Sequence, residues 1–313
     1  MVSAYIAWYL FLAGAGGGAF LLGSTVDLTL RFFPNACRGW FSRVSAVTDA
    51  GLVLGPALVL ASAVFLVLDL GVPDRALRLF AASTPSLLSL GAWAILLFCT
   101  TALAALVLGF LAGDETDPET SGLRVVLRVV EFACSLIATG LALFVVGYAG
   151  AFLASYPSLP FLHTLWVPAL FVASALATGL GALIVVALFR QAVSGMVDGV
   201  GALLPLDALL VAVELAALIG LVASSLLRGD APEAAALQLL TGPLAAAFWG
   251  GVVVLGLIVP LSVDFICRSS CRLMPAAVGA ACTLIGGITL RFVLLMATQR
   301  FNLVFMSALV FWQ

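Results

Sequence analysis

The sequence alternates between long apolar runs and short polar breaks. The runs cover about residues 4–30, 47–69, 87–111, 125–151, 166–189, 203–226, 244–266 and 275–297. Each reaches the roughly 20 residues that a helix needs to cross the hydrocarbon core of a bilayer. The pattern predicts an all-α polytopic membrane protein of eight transmembrane helices, with short connections and no soluble domain among them. Gly and Pro inside a span are tolerated, because neighbouring groups re-satisfy the freed backbone. Pro56 is expected to kink helix 2.

The most informative break lies between the second and third runs, in VLDLGVPDRALRLFAASTPSLLSLGAWAILLF, residues 67–98. One run ends at Asp69. A compact corner with Gly71, Pro73, Asp74, Arg75 and Arg78 follows, and the apolar text resumes after Thr84, Pro85 and Ser86. Two membrane helices joined by a charged corner give this pattern.

Composition narrows the class. The 313 residues are 64% hydrophobic and 9% charged, with a mean hydropathy of +1.26. Soluble domains carry about 25% charged residues. Net charge is −2, and all 13 basic residues are arginine, so nothing supports a basic patch for nucleic acid. No charged segment precedes the first run, so it does not read as a cleaved signal peptide.

The arginines give an orientation. Arg31, Arg38, Arg43, Arg124, Arg128, Arg190, Arg268 and Arg272 fall after helices 1, 3, 5 and 7, against Arg75, Arg78, Arg228 and Arg300 on the other side. Arg291 lies within helix 8. The expectation is that both termini, the 69–86 corner and the 152–165 loop are extracytoplasmic. The acidic run Asp114, Glu115, Asp117 and Glu119 counts little against it.

His163 is the single histidine, so bis-histidyl haem ligation is excluded. Cys37, Cys99, Cys134, Cys267, Cys271 and Cys282 are read as packing residues. Cys267 and Cys271 share a helix spacing, but two thiols without histidine make a poor metal site. No metal is expected in this protein.

Ionisable groups inside spans are expensive and default to functional or paired roles. Asp27, Asp49, Asp207 and Asp264, near the inner helix ends, are expected to cap or contact the interface. Glu131 lies about two turns inside helix 4, roughly 10 Å by the rise per residue. Glu214 and Arg291 are expected to form a structural ion pair between helices 6 and 8. A proton path through Asp27, Asp49 and Glu131 is carried as a hypothesis.

Helix 1 contains GAGGGAFLLGS, Gly14 to Ser24. Such a face admits another backbone or a flat ligand, and helix packing is its commoner use. After helix 4 the sequence reads YAGAFLASYPSLPFLHTLWVPALF, in which Pro157, Pro160 and Pro168 stiffen the loop. Tyr148, Tyr156, His163 and Trp166 sit near the interface, where aromatics often serve as anchors. His163 is open as a proton acceptor, a surface residue or a docking contact.

Together these features resemble the NrfD/PsrC family of quinol-interacting membrane subunits of polysulfide-reductase-like complexes. The resemblance rests on YLFLAGAGGGAFLLG (9–23), on LDLGVPDRALRLF with STPSLLSLGAWAILLF (68–98), and on VVGYAGAFLASYPSLPFLHTLWVPALFVASALATG (145–179). Helices 6 to 8 match in pattern alone. The resemblance implies two four-helix bundles, residues 1–151 and 166–313, joined by the outer loop 152–165, with a quinone site at the outer end of the first. It implies menaquinone or ubiquinone as cofactor, no haem, and a bacterial inner-membrane location. The implied partners are an extracytoplasmic iron–sulfur subunit with several cubane clusters and a molybdopterin catalytic subunit, with electrons able to run either way.

By the same resemblance, Tyr148 falls on the family's tyrosine at the end of helix 4, and Asp69, Gly71, Pro73 and Arg75 on the corner motif. Tyr9 stands where some members have a histidine. It can donate the same hydrogen bond but is a poor base near neutrality. Asp69 is the first candidate proton acceptor and His163 the second. Trp8, Tyr9, Gly17, Arg75, Ser89 and Trp93 are the candidate quinone-binding set, beside Asp69, Tyr148 and His163 for the chemistry. Oxidising a quinol releases two electrons and two protons, so the site needs an apolar slot, a polar group at each ring oxygen and a base leading to water. Two rival readings remain: an ion or solute transporter, and a passive anchor without quinone chemistry.

Overall fold

The computed structural model describes residues 4–33, 38–71, 87–113, 122–194, 199–267 and 273–310. Each apolar run becomes a helix: α1 (Ala4–Phe32), α2 (Arg38–Leu70), α3 (Leu87–Ala112), α4 (Gly122–Ala154), α5 (Trp166–Ser194) and α6 (Val200–Arg228). A short helix, α7 (Asp230–Leu240), precedes the seventh span, α8 (Ala247–Cys267), and α9 (Leu273–Val310) follows it. Among the described residues, eight helices are long and apolar enough to cross a membrane, and none forms a strand.

α1 and α5 are the most enclosed helices, and each packs on the other as well as on its sequence neighbour. The glycine run of α1 makes this possible. A methyl on Gly18 would strike the carbonyl of Ala175, and one on Gly179 would strike the backbone of Ala19. On another face of α1, a methyl on Gly16 would lie 2.8 Å from the Gly55 carbonyl, and one on Gly55 2.6 Å from Phe20 Cβ. The run therefore packs α1 between α2 and α5 at backbone contact, which is the use of small residues in a bilayer. The flanks of α2, α3, α4, α6 and α8 stay rich in exposed Leu, Val, Ile and Phe, the surface a lipid phase covers.

Three features depart from the apolar pattern. α2 starts at Arg38, about three turns before its apolar run. Those turns carry Val44 and Val47, both fully buried, and Trp40, whose Nε1 donates to the Ala202 carbonyl at 3.2 Å. An amphipathic extension of this kind is docked by one face and fails a purely apolar criterion. α7 follows Gly229, which takes φ +70°, and buries Pro232, Ala235, Ala236 and Leu239. Ala247–Ile258 of α8 is π-helical, and Val259 donates back five residues to Val254. Pro260 follows at once, and it has no N–H to give the regular ladder and clashes with the preceding turn. The wider winding ends where α8 regains α-helical form.

Candidate functional site

The helix ends divide the polar residues into two sets. One end carries the start of α1, the end of α2, the start of α3 and the end of α4. Tyr148 organises it. Its hydroxyl donates to the Leu87 carbonyl in the first turn of α3, at 2.6 Å. Its ring lies over Gly91, where a methyl would come within 2.6 Å of Cζ. Any larger residue at 91 would push the ring away. One turn either side, Phe144 stacks on it at 5.7 Å and Phe152 lies tilted against it at 5.6 Å, and Phe152 meets Tyr156 edge-on at 5.2 Å. These i, i+4 contacts make one aromatic ladder along α4.

Tyr9 is buried among the apolar residues of α3 and α4, and Tyr9 and Tyr156 are the other phenols near Tyr148. Trp8, one residue earlier, is part-exposed, stacks on Phe65 at 6.0 Å and meets Phe11 edge-on. Asp69, in the last turn of α2, is half-buried. Ser89 is buried and Trp93 exposed, both within two turns of the α3 start. The structure thus brings Trp8, Tyr9, Asp69, Ser89, Trp93 and Tyr148 to one end of α1–α4. Arg75, with the rest of 72–86, lies outside the described residues.

Two candidates sit elsewhere. Gly17 faces α4, where a methyl would lie 2.8 Å from a Val146 methyl, so its position serves packing. His163 is exposed, and its Nδ1 is 2.7 Å from the Ala154 carbonyl at the end of α4. That contact requires a proton on Nδ1, since a carbonyl only accepts. The His163 carbonyl accepts from Arg228 Nη1 at 2.9 Å. The residue therefore ties loop 155–165 to the ends of α4 and α6, while Phe161 and Leu162 are buried beneath it.

At the opposite end, Arg31 meets Glu131 through two parallel bonds, Nη1 to Oε2 at 2.9 Å and Nη2 to Oε1 at 3.0 Å. Its Nε donates to Asp27 Oδ1 at 3.1 Å. This fork closes one side of a cavity of about 250 Å³ lined also by Phe20, Ala102, Gly109 and Ser135. Asp49 opens instead onto a separate cavity of about 420 Å³ between α2 and α5, with Arg190. Asp27 and Glu131 thus form one cluster, and Asp49 faces another space.

Sequence reasoning underrated the second half. Arg291 is 1% exposed and Glu214 4%. Arg291 donates no hydrogen bond to Glu214. Its Nη1 donates to Ser174 Oγ at 2.9 Å and to the Gly287 carbonyl at 2.8 Å, and Glu214 lies within electrostatic reach of the guanidinium. The guanidinium also lies 5.6 Å from the rings of Phe11 and Phe171. The guanidinium's hydrogen-bond partners are thus Ser174 and backbone carbonyls rather than Glu214, and a serine in an apolar run gave no signal of that role. Asp207 and Asp264 were expected at the interface. Both are buried, and their carboxyl groups lie within hydrogen-bond reach of each other.

Cys99, Cys134, Cys267 and Cys282 are free thiols, and no group of three or more metal-ligating side chains occurs among the described residues. Cys37 and Cys271 lie outside them.

Eight apolar helices closed around small-residue contacts, with polar clusters at each end, define a multi-pass integral membrane protein. The family model described as "Polysulphide reductase, NrfD" matches residues 2–302, and the protein belongs to that family. It is also 28% identical over 304 residues to the C subunit of the polysulfide reductase of Wolinella succinogenes, an alignment that covers 95% of this sequence and 93% of that one.

Proposed function

We propose that this protein is the quinol-interacting membrane subunit of a multi-subunit oxidoreductase. Family membership and the likeness to a polysulfide reductase subunit support a place in a reductase complex. The observation that carries the quinol reading is the state of Tyr148. Its one O–H is spent on the Leu87 carbonyl, so toward a ligand its oxygen is an acceptor. A quinol presents O–H donors and a quinone presents acceptors alone. The site is therefore matched to the reduced ligand, with menaquinol and ubiquinol equally served by this contact.

The neighbouring residues fit such a ligand. Trp8, Trp93 and the α4 aromatic ladder offer flat apolar walls, and Ser89 and Tyr9 stand within the same set of helix ends. Asp69 is the acceptor placed to take a proton toward water, and Arg75 falls in the adjoining corner. Two protons leave toward the aqueous phase as two electrons pass to the partner. The sequence has a single histidine, and the described residues hold no cluster of metal-ligating side chains for a redox centre. In this reading the electron acceptor is an iron–sulfur subunit docked over the Tyr148 end, with a molybdopterin subunit beyond it, as the likeness to a reductase subunit supports. The arginine distribution supports an extracytoplasmic position for that end, in a bacterial inner membrane. The protein divides into two four-helix halves, residues 1–151 and 166–313. His163 acts here by holding the docking loop rather than by taking the quinol proton.

The test is binding of a fluorescent quinol analogue to the purified complex and to Asp69→Asn and Tyr148→Phe variants. Loss of binding, or of quinol-dependent reduction of the partner's clusters, in complexes that still assemble supports the site. Wild-type binding and turnover in both variants places the site elsewhere. Absence of quinol binding in the wild type favours the transporter or anchor reading.

A further inference from the structure

Asp207 and Asp264 lie outside every group invoked above. They face one another from α6 and α8, two spans that enclose a cavity of about 150 Å³ lined by Leu204, Pro205, Ala208, Leu261, Asp264 and Phe265. Asp207 is 2% exposed and Asp264 5%. Their carboxyl groups are within hydrogen-bond reach of each other. Two carboxylates cannot make that bond, because an ionised carboxylate only accepts. Asp207 Oδ1 and Asp264 Oδ2 are buried and have no hydrogen-bond partner. Two bare charges in such a place would each face a large desolvation cost.

The charged groups on the helices packed around them give no compensation at those two oxygens. Glu214 lies two turns along α6, roughly 10 Å by helix rise, and is itself acidic. α2 brings Arg43 and Asp49 to this end, and α5 brings Arg190. None of these arginines hydrogen-bonds the orphan oxygens. The cavity is large enough for several waters, at about 30 Å³ each.

We propose that Asp207 and Asp264 form a proton-binding site that holds one proton between two carboxyl groups, with the adjoining cavity as its access. The proton sits on the oxygen of one aspartate and is donated to the other, so the pair carries a single negative charge. The site is independent of the quinol reading, being built wholly from the second half of the molecule.

The test is carbodiimide labelling of the full-length protein in proteoliposomes at about pH 8, where an ordinary aspartate is ionised. Dicyclohexylcarbodiimide reacts with the protonated acid: the proton goes to a diimide nitrogen, the carboxyl oxygen bonds the central carbon, and the acyl group then migrates to nitrogen. Peptide mass spectrometry is expected to find one label per molecule on Asp207 or Asp264, about tenfold above Asp49. Asp207→Asn and Asp264→Asn are each expected to lower labelling of the remaining carboxyl about tenfold, since an amide N–H supplies the bond without a proton. An infrared carbonyl band of a protonated acid in the wild type serves as a second readout if a variant fails to fold. No label and no such band overturns the proposal. So does undiminished labelling in both variants. Loss of labelling when NaCl replaces KCl at constant pH would put Na⁺ in the proton's place and overturn it as well.

Discussion

The Tyr148 hydroxyl donates to the carbonyl of Leu87 at 2.6 Å and so fixes the end of α4 to the start of α3. One bond sets both the position of the ring and the hydrogen-bonding sense of its oxygen. Tyr148→Phe keeps the ring over Gly91 and removes the oxygen. A single neutral hydrogen bond contributes about 0.5–1.5 kcal/mol, so a quinol analogue is expected to bind roughly two- to tenfold more weakly. The matching quinone, which gains nothing from an acceptor at this place, should bind as before. Equal weakening of both ligands would refute the acceptor role, and paired titrations of the oxidised and reduced analogue decide it.

Gly91 tests the same relationship from the other side. A methyl there would sit within 2.6 Å of the Tyr148 Cζ. Gly91→Ala is expected to displace the ring, cost about 1–3 kcal/mol of stability and weaken quinol binding more than Tyr148→Phe does. The control is Gly140→Ala on α4, where nothing lies within 4 Å of the added methyl. That variant should be neutral or slightly stabilising, because alanine suits a helix interior better than glycine. Thermal unfolding of the two variants, with binding measured on each, separates the effects.

The Arg31–Glu131 fork bears on the proton-path hypothesis. Glu131 is held bidentately across a sequence separation of 100 residues. To carry a proton it would have to leave that fork. Glu131→Gln is expected to lower stability by about 1.5–3 kcal/mol, the range for a hydrogen bond to a charged group. Arg31→Lys should lower it too, since an ammonium cannot copy the fork. Charge translocated per quinol in proteoliposomes is the decisive reading. An unchanged value in Glu131→Gln removes Glu131 from any path and leaves the fork as a structural clamp between α1 and α4.

How far the sequence could be read follows from what each feature depends on. The eight spans depend on runs of apolar residues, which are local, and each run became a helix. The docked extension from Arg38 of α2 and the short helix from Asp230 depend on one-sided burial, so an apolar count passed over them. Gly229 followed by Asp230 and Pro232 was a start signal that could have been used. The glycine run of α1 was legible as a packing face because only close backbones need it. The partners of the buried charges were not legible. Arg31 meets Glu131, Asp207 meets Asp264 and Arg291 meets Ser174 across separations set wholly by the helix packing. Of the candidate site residues, the clustering at one helix end followed from span direction. The Leu87 bond of Tyr148 did not, because every residue offers the same carbonyl.

Arg291 gives the last prediction. Its guanidinium spans the contact between α1, α5 and α9, donating to Ser174 and Gly287 with Phe11 and Phe171 beside it. Glu214, buried as well, lies within electrostatic reach of the same guanidinium, with Ser174 beside both. Breaking a buried pair from one side leaves the other charge stranded and costs about 3–5 kcal/mol. Arg291→Leu alone should therefore unfold the protein at markedly lower temperature, and Glu214→Leu alone should do the same. The double variant should recover most of the loss, because replacing both members with apolar groups is often neutral. Ser174→Ala should be milder than either single charge change yet should weaken the coupling between them. A double-mutant cycle by thermal unfolding reads this directly. Additive losses would mean that Arg291 and Glu214 act separately, with Arg291 held by the Gly287 carbonyl and the two aromatic rings.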